Sequence, residues 1–238
     1  MLLFTEWTVI EIYGINRGSY KMKEYKIKKI KSLIEIESCV KAEITEVQWN
    51  CRIQPKSWAY MGYQEGKGLL VRMACEETNP HRVHVSHKGP VWTDSALELF
   101  LAFPIHEGGV PGEIDGRCLY LNFELNANAA MYAQYGYGKE NREFIPDQVY
   151  RESRCSAVIG RDGWRVDFLI PEWYLRELTG RKLEDWLAAG DGEGRMRCNF
   201  YKISESPEIE HYMSYSRIES DVPDFHLPSY FAEAGFER

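Results

Sequence analysis

No apolar run in the chain approaches the roughly 20 residues that cross a bilayer. The first residues, MLLFTEWTVIEIYG, are broken by Glu6 and Glu11 where a secretory leader needs an uninterrupted apolar stretch, so a cytoplasmic protein is expected. The six cysteines, Cys39, Cys51, Cys75, Cys118, Cys155 and Cys198, include no CxxC pair and are too dispersed for the framework of a small disulfide-stapled domain. Reduced thiols packed as small hydrophobes are expected instead. Positive charge is outnumbered, 29 Lys and Arg against 36 Asp and Glu. The net charge is −7, and outside Lys21 to Lys31 the basic residues are scattered, which argues against a nucleic-acid partner. No repeat, low-complexity tract or Pro/Ser-rich linker divides the 238 residues. One domain over 22–238 is expected, with 1–21 read as an upstream extension because Met22 opens the start-like MKEYKIKKIK.

What is present is a globular balance, 44% hydrophobic and 27% charged, with an excess of amphipathic rings: seven Trp and fifteen Tyr. Strand-like runs recur with Gly, Pro, Asn and Asp between them, at 46–53, 68–76, 95–103, 118–126, 129–135, 154–160, 163–170, 195–203, 210–216 and 231–236. A helix is expected from Pro171 through EWYLREL to Gly180, and a second short turn around LEDWLAA. The fold class this implies is all-β: a two-sheet antiparallel β-sandwich with one or two short peripheral helices. Its core would hold Leu97, Leu99, Leu121, Phe123, Phe168 and Phe200.

Side chains alternate faces along a strand, so parity sorts each run into two sets. Leu97, Leu99, Leu101 and Phe103 share one face of their strand, and Trp92, Asp94, Glu98 and Phe100 the other. Leu119, Leu121, Phe123 and Leu125 stand against Tyr120, Asn122, Glu124 and Asn126. Met196, Cys198 and Phe200 stand against Arg195, Arg197, Asn199 and Tyr201. Three strands thus each turn carboxylates, amides, guanidinium groups or phenols to one side. These groups read sugar hydroxyls, and an aromatic face stacks on the apolar side of a pyranose. A satisfied polar network beneath a covering loop is an equally good account of the pattern alone.

The segment GPVWTDSALELFLAF resembles the signature of the family-9 carbohydrate-binding modules through Trp92, Asp94, Ser95, Glu98 and Phe100. The resemblance continues through YLNFELN, GWRVDFLIP, RCNFYKI, HYMSYSRI and PDFHLPSYFAEAGF, over residues 45–236. It implies a β-sandwich in which two aromatic side chains clamp a terminal glucose-like unit while a Glu and further polar groups bind its hydroxyls. Trp92 matches the first aromatic, Glu98 the carboxylate, and Tyr215 stands where relatives carry a second Trp. The full ligand-binding set expected is Trp92, Asp94, Glu98, Asn122, Glu124, Arg197, Asn199, Tyr201 and Tyr215, with a mono- or oligosaccharide as partner, no cofactor, no metal, no nucleic acid and no membrane.

Four other readings are open on the residues. Asp94, Glu98 and Glu124 contain the makings of a glycosidase carboxylate pair. His81, His84 and His87 recur every third residue, in a loop rather than on a helix, as a weak metal motif. Met73, Met131 and Met213 lie in strand-like runs where a haem-ligating sandwich would need a Met/His pair. The aromatic surface also suits a protein partner.

Overall fold

The computed structural model describes residues 22–189 and 194–237. About 42% of the chain is strand and helices are few. The strands are β1 (Glu24–Lys29), β2 (Lys41–Ile44), β3 (Glu46–Gln48), β4 (Ser57–Gln64), β5 (Gly68–Cys75), β6 (Ala96–Phe103), β7 (Ile105–His106), β8 (Val110–Pro111), β9 (Leu119–Asn126), β10 (Met131–Tyr137), β11 (Arg142–Phe144), β12 (Ser156–Ile159), β13 (Trp164–Pro171), β14 (Arg197–Ser204), β15 (His211–Ser214) and β16 (Ala232–Phe236). The helices are α1 (Asp147–Ser153), α2 (Glu172–Thr179) and α3 (Leu183–Ala188).

One path of hydrogen-bonded strands runs β11-β10-β9-β6-β14-β16-β1-β4-β5-β13-β12. β15 joins the second half of β14 and carries β3, while β2 lies on β4. Pairing is antiparallel except at β1, which runs parallel to β16 through Glu24 to Ile27 and parallel to β4 at Lys28 and Lys29. The sheet curls about this strand, so that Phe123 of β9 meets Phe168 of β13 at 5.9 Å and Tyr25 of β1 meets Phe200 of β14 at 5.2 Å.

Between the two halves lies the main core, which contains Leu97, Leu99, Leu121, Phe123, Phe168 and Phe200. A second apolar cluster covers the other side of β6, β9 and β14, where Phe100, Tyr120 and Tyr201 pack against Phe225 and Phe231 of the C-terminal segment. Every residue of β6 and β9 is buried as a result, on both faces. Alternation in these strands separates two interiors rather than an interior from solvent.

α2 begins directly after Pro171 and ends at Gly180, whose backbone takes the left-handed φ of 68° while its N–H closes on the Arg176 carbonyl. α3 buries Leu183, Trp186 and Leu187. The expectation of one or two helices falls short by α1. It is only seven residues long, and Val149 and Tyr150 are adjacent, so no helical periodicity marks it. No helix among the described residues is long and apolar enough to cross a membrane.

Candidate functional site

Strand register builds the floor of a cleft of about 290 Å³. Directly opposed residues of antiparallel strands share a face. Tyr132 of β10, Glu124 of β9, Glu98 of β6 and Tyr201 of β14 therefore form one row, and Gln134, Asn122, Phe100 and Asn199 the next. Walls rise on three sides. Trp92 comes from a single 3-10 turn, Val91–Thr93, that feeds β6. Trp49 follows β3, and Asp224, Phe225 and His226 come from the loop before β16.

The aromatic walls are held by their neighbours. Trp92 is half-buried, meets the Tyr132 ring edge-on at 4.8 Å, and accepts the Glu205 N–H at its carbonyl. The Trp49 indole N–H donates to the Ser220 carbonyl at 2.8 Å, and its ring packs on Tyr212 and Phe225 at 5.6 and 5.5 Å. Phe225 in turn stacks on Tyr201 at 4.1 Å. Such rings lose little mobility on binding because packing has already fixed them.

Two buried carboxyls meet on the floor. Glu98 and Glu124 are cross-strand partners, 2% and 4% exposed. Burial, reinforced by the neighbouring Glu124 and Glu205 carboxyls, raises the Glu98 pKa well above the usual carboxylate range. Burial likewise pushes Glu124 up to about 8, against the pull of Arg142 and of the Asn122 amide that donates to its Oε1 at 3.0 Å. The other Glu124 oxygen, Oε2, is buried without a hydrogen-bond partner, and no described residue hydrogen-bonds to the Glu98 carboxyl. Arg142 of β11 reaches over this floor. Its Nη1 donates to Asn122 Oδ1 at 3.1 Å and stands 3.4 Å from His226 Nδ1. Burial and that guanidinium push His226 down to about 3, so it is neutral near pH 7. Lys139 is paired with Asp224 at the rim, 2.9 Å apart. A cleft with fixed rings, a guanidinium and unsatisfied carboxyl oxygens is equipped to bind a small polyhydroxy ligand.

Residues 28–236 match the family model described as carbohydrate-binding family 9. The chain belongs to that family. With the family comes its function class, carbohydrate binding. Among curated proteins no match is found. Among solved structures, the chain is similar to a candidate carbohydrate-binding protein from Bacteroides uniformis, with a TM-score of 0.69, 22% identity, and 91% of this chain and 100% of that one covered. It is also similar to a carbohydrate-binding module of family 9 from Caldicellulosiruptor kristjanssonii in complex with cellotriose, with a TM-score of 0.52, 12% identity, and 90% of this chain and 92% of that one covered. At these identities the likeness is one of fold.

Of the residues singled out in this family-9 sequence, Trp92, Glu98 and Glu124 line the cleft, and Asn122 lies beneath it, bonded to Glu124 and Arg142. The other five are placed elsewhere. Asp94 is fully buried and accepts the Val83 and His84 N–H groups and the Asn126 amide, which ties the 81–84 loop down. Arg197 lies off the cleft and donates to the Ser229 carbonyl at 3.2 Å. Asn199 bonds both backbone groups of Ser216, and Tyr201 lies under Phe225 with its hydroxyl on the Phe225 carbonyl. Tyr215 departs furthest from the expectation. Its ring is in the main core against Tyr25 and Phe200, and its hydroxyl donates to the Glu24 carbonyl. It continues the alternation of β15, sharing the core face with Met213 while Tyr212 between them faces the other cluster. The second aromatic wall is Trp49 with Phe225.

Sequence reasoning missed Trp49, Tyr132, Arg142, Glu205 and His226. Trp49 and His226 stood inside recognised runs, 46–53 and PDFHLPSYF, whereas Arg142 carried no signal, since the three-residue β11 that delivers it is too short to show alternation. The loop histidines have separate duties: His84 faces Thr93 Oγ1 at 3.1 Å and His87 accepts the Met131 N–H. Met73, Met131 and Met213 are core residues.

Proposed function

We propose that the cleft binds the terminal, glucose-like unit of a mono- or oligosaccharide without cleaving it, with Trp92 on one side and Trp49 and Phe225 on the other. The curled sheet would serve as an antiparallel two-sheet sandwich presenting this cleft on its outer face. The observation that carries the reading is Glu98: a carboxyl 2% exposed, on the floor of a cleft walled by Trp, with no hydrogen-bond partner from the described residues. Beside it Glu124 Oε2 is sealed without a partner, a group costly to leave unmet, so a ligand bringing hydroxyls gains what the protein forgoes.

The same carboxyls speak against hydrolysis. A glycosidase pair needs one ionised and one protonated member, whereas here burial favours the proton on both Glu98 and Glu124. A net charge of −7 favours a saccharide over a nucleic acid or an anionic membrane surface. Titration calorimetry with glucose, cellobiose and cellotriose is expected to give weak to moderate binding, and aryl glycosides are expected to stay intact. Absence of binding for every saccharide at millimolar concentration would overturn the reading and favour a protein partner for the aromatic walls.

A further inference from the structure

We propose that the saccharide terminus the cleft selects carries a protonated amino group, making a 2-amino-2-deoxyhexose or an oligosaccharide ending in one its preferred ligand. The inference rests on the sugar-binding reading and specifies the sugar.

Its basis is a group of carboxyls that converges on the cleft with no cation hydrogen-bonded to any of them among the described residues. Glu98 on β6, Glu124 on β9 and Glu205 just beyond β14 all line the cleft. Facing them, Lys139 is already paired with Asp224, and His226 is neutral near pH 7. Lys202 of β14 belongs to the opposite side of its strand, where it is fully buried on Ser95 Oγ at 2.6 Å and His211 Nε2 at 2.8 Å. Across the strand Lys202 still attracts Glu98, and Arg142 acts on Glu98 and Glu124, but the bonds of Arg142 go to Asn122 Oδ1, the Lys139 carbonyl and His226 Nδ1 rather than to any carboxyl.

Two further observations point to a ligand. Glu124 Oε2 is buried with no hydrogen-bond partner, and on the directly paired residue the Glu98 carboxyl lines the cleft without a bond to any described residue. A neutral sugar supplies hydroxyl donors to these oxygens but leaves two buried carboxyls to keep their protons. An ammonium supplies three donors and the compensating charge together, which lets a carboxyl ionise and forms the stronger, charge-assisted hydrogen bonds. The walls suit the same ligand, because Trp92 and Tyr132 border the carboxyls and aromatic faces attract cations as well as the apolar side of a pyranose.

The test compares glucose, glucosamine and N-acetylglucosamine, and the matching disaccharides, by titration calorimetry near neutral pH. N-acetylation keeps the ring and removes the charge. Glucosamine termini are expected to bind about tenfold or more tightly than either neutral counterpart. Runs in buffers of different ionisation enthalpy are expected to show proton release into solution on binding. The preference is expected to collapse when Glu98→Gln and Glu124→Gln are combined. Equal or weaker binding of the amino sugar than of glucose would overturn the inference while leaving the sugar-binding reading intact. Failure of all these sugars to bind would overturn both. The comparison among ligands uses the wild-type protein, so it stands even if the double variant folds poorly.

Discussion

At the scale of single residues the proposed function divides the cleft between stacking and hydrogen bonding, and substitution separates the two. Trp92 is half-buried, with the edge of Tyr132 behind it, so truncation removes a stacking surface without emptying the core. Trp92→Ala is expected to cost about 1 to 3 kcal/mol of binding to a neutral saccharide, roughly ten- to hundred-fold in affinity. Glu98→Gln is expected to cost less toward the same ligand. The carboxyl it replaces already favours its neutral form, and the amide keeps the shape, one acceptor and a donor. Calorimetry on both variants checks the ranking, and unchanged affinity in Trp92→Ala would remove the stacking role. Strand parity announced Glu98, Glu124 and Asn122 because all three sit inside eight-residue strands where a period of two is unbroken. Tyr215 was assigned from the family resemblance alone; the period of two along β15 puts it with Met213 on the core face, opposite Tyr212.

At the scale of elements, all ten strand runs expected from the sequence carry strands, and the two longest overlooked, β1 and β4, each hide their buried face in a different way. β1 reads EYKIKK, and its four charged residues mask the two side chains that matter, Tyr25 and Ile27, both fully buried. β4 buries Ser57, Ala59, Met61 and Tyr63 on alternate positions, a set whose small members carry little hydrophobic signal. Yet β1 joins the halves of the sheet, and the Tyr25 hydroxyl clasps that seam by donating to the Val40 carbonyl at 2.7 Å and accepting the Met61 N–H at 2.8 Å. Tyr25→Phe keeps the ring against Phe200 but leaves a buried N–H of β4 unpaired. It is expected to destabilise the protein by about 1 to 3 kcal/mol in denaturant unfolding, with no change in folded-state sugar affinity. A loss below the resolution of the measurement would mean that the clasp is dispensable.

At the scale of the whole molecule, the cleft sets how stability depends on pH. A carboxyl whose folded pKa is raised holds its proton more tightly in the native state than in the unfolded chain. The stability it lends is fully present below the unfolded value and is lost as pH rises through the folded one. For Glu124 that window runs from 4.5 to about 8, and Glu98 acts in the same direction. His226 and His211, both pushed down to about 3 from 6.5, act oppositely, since protonating them favours the unfolded chain as pH falls from 6.5 toward 3. From pH 6.5 to 8 the unfolded histidines lose their remaining protons, and their opposing contribution fades until the carboxyls dominate. The melting temperature is therefore expected to fall as pH is raised across that interval. Glu124→Gln, which cannot ionise, is expected to flatten the fall. The whole Glu124 contribution is at most about 5 kcal/mol, since one pKa unit corresponds to about 1.4 kcal/mol. Scanning calorimetry of wild type and Glu124→Gln at matched ionic strength reads the difference, and parallel curves for the two proteins would show that Glu124 ionises in the folded cleft as readily as in the unfolded chain.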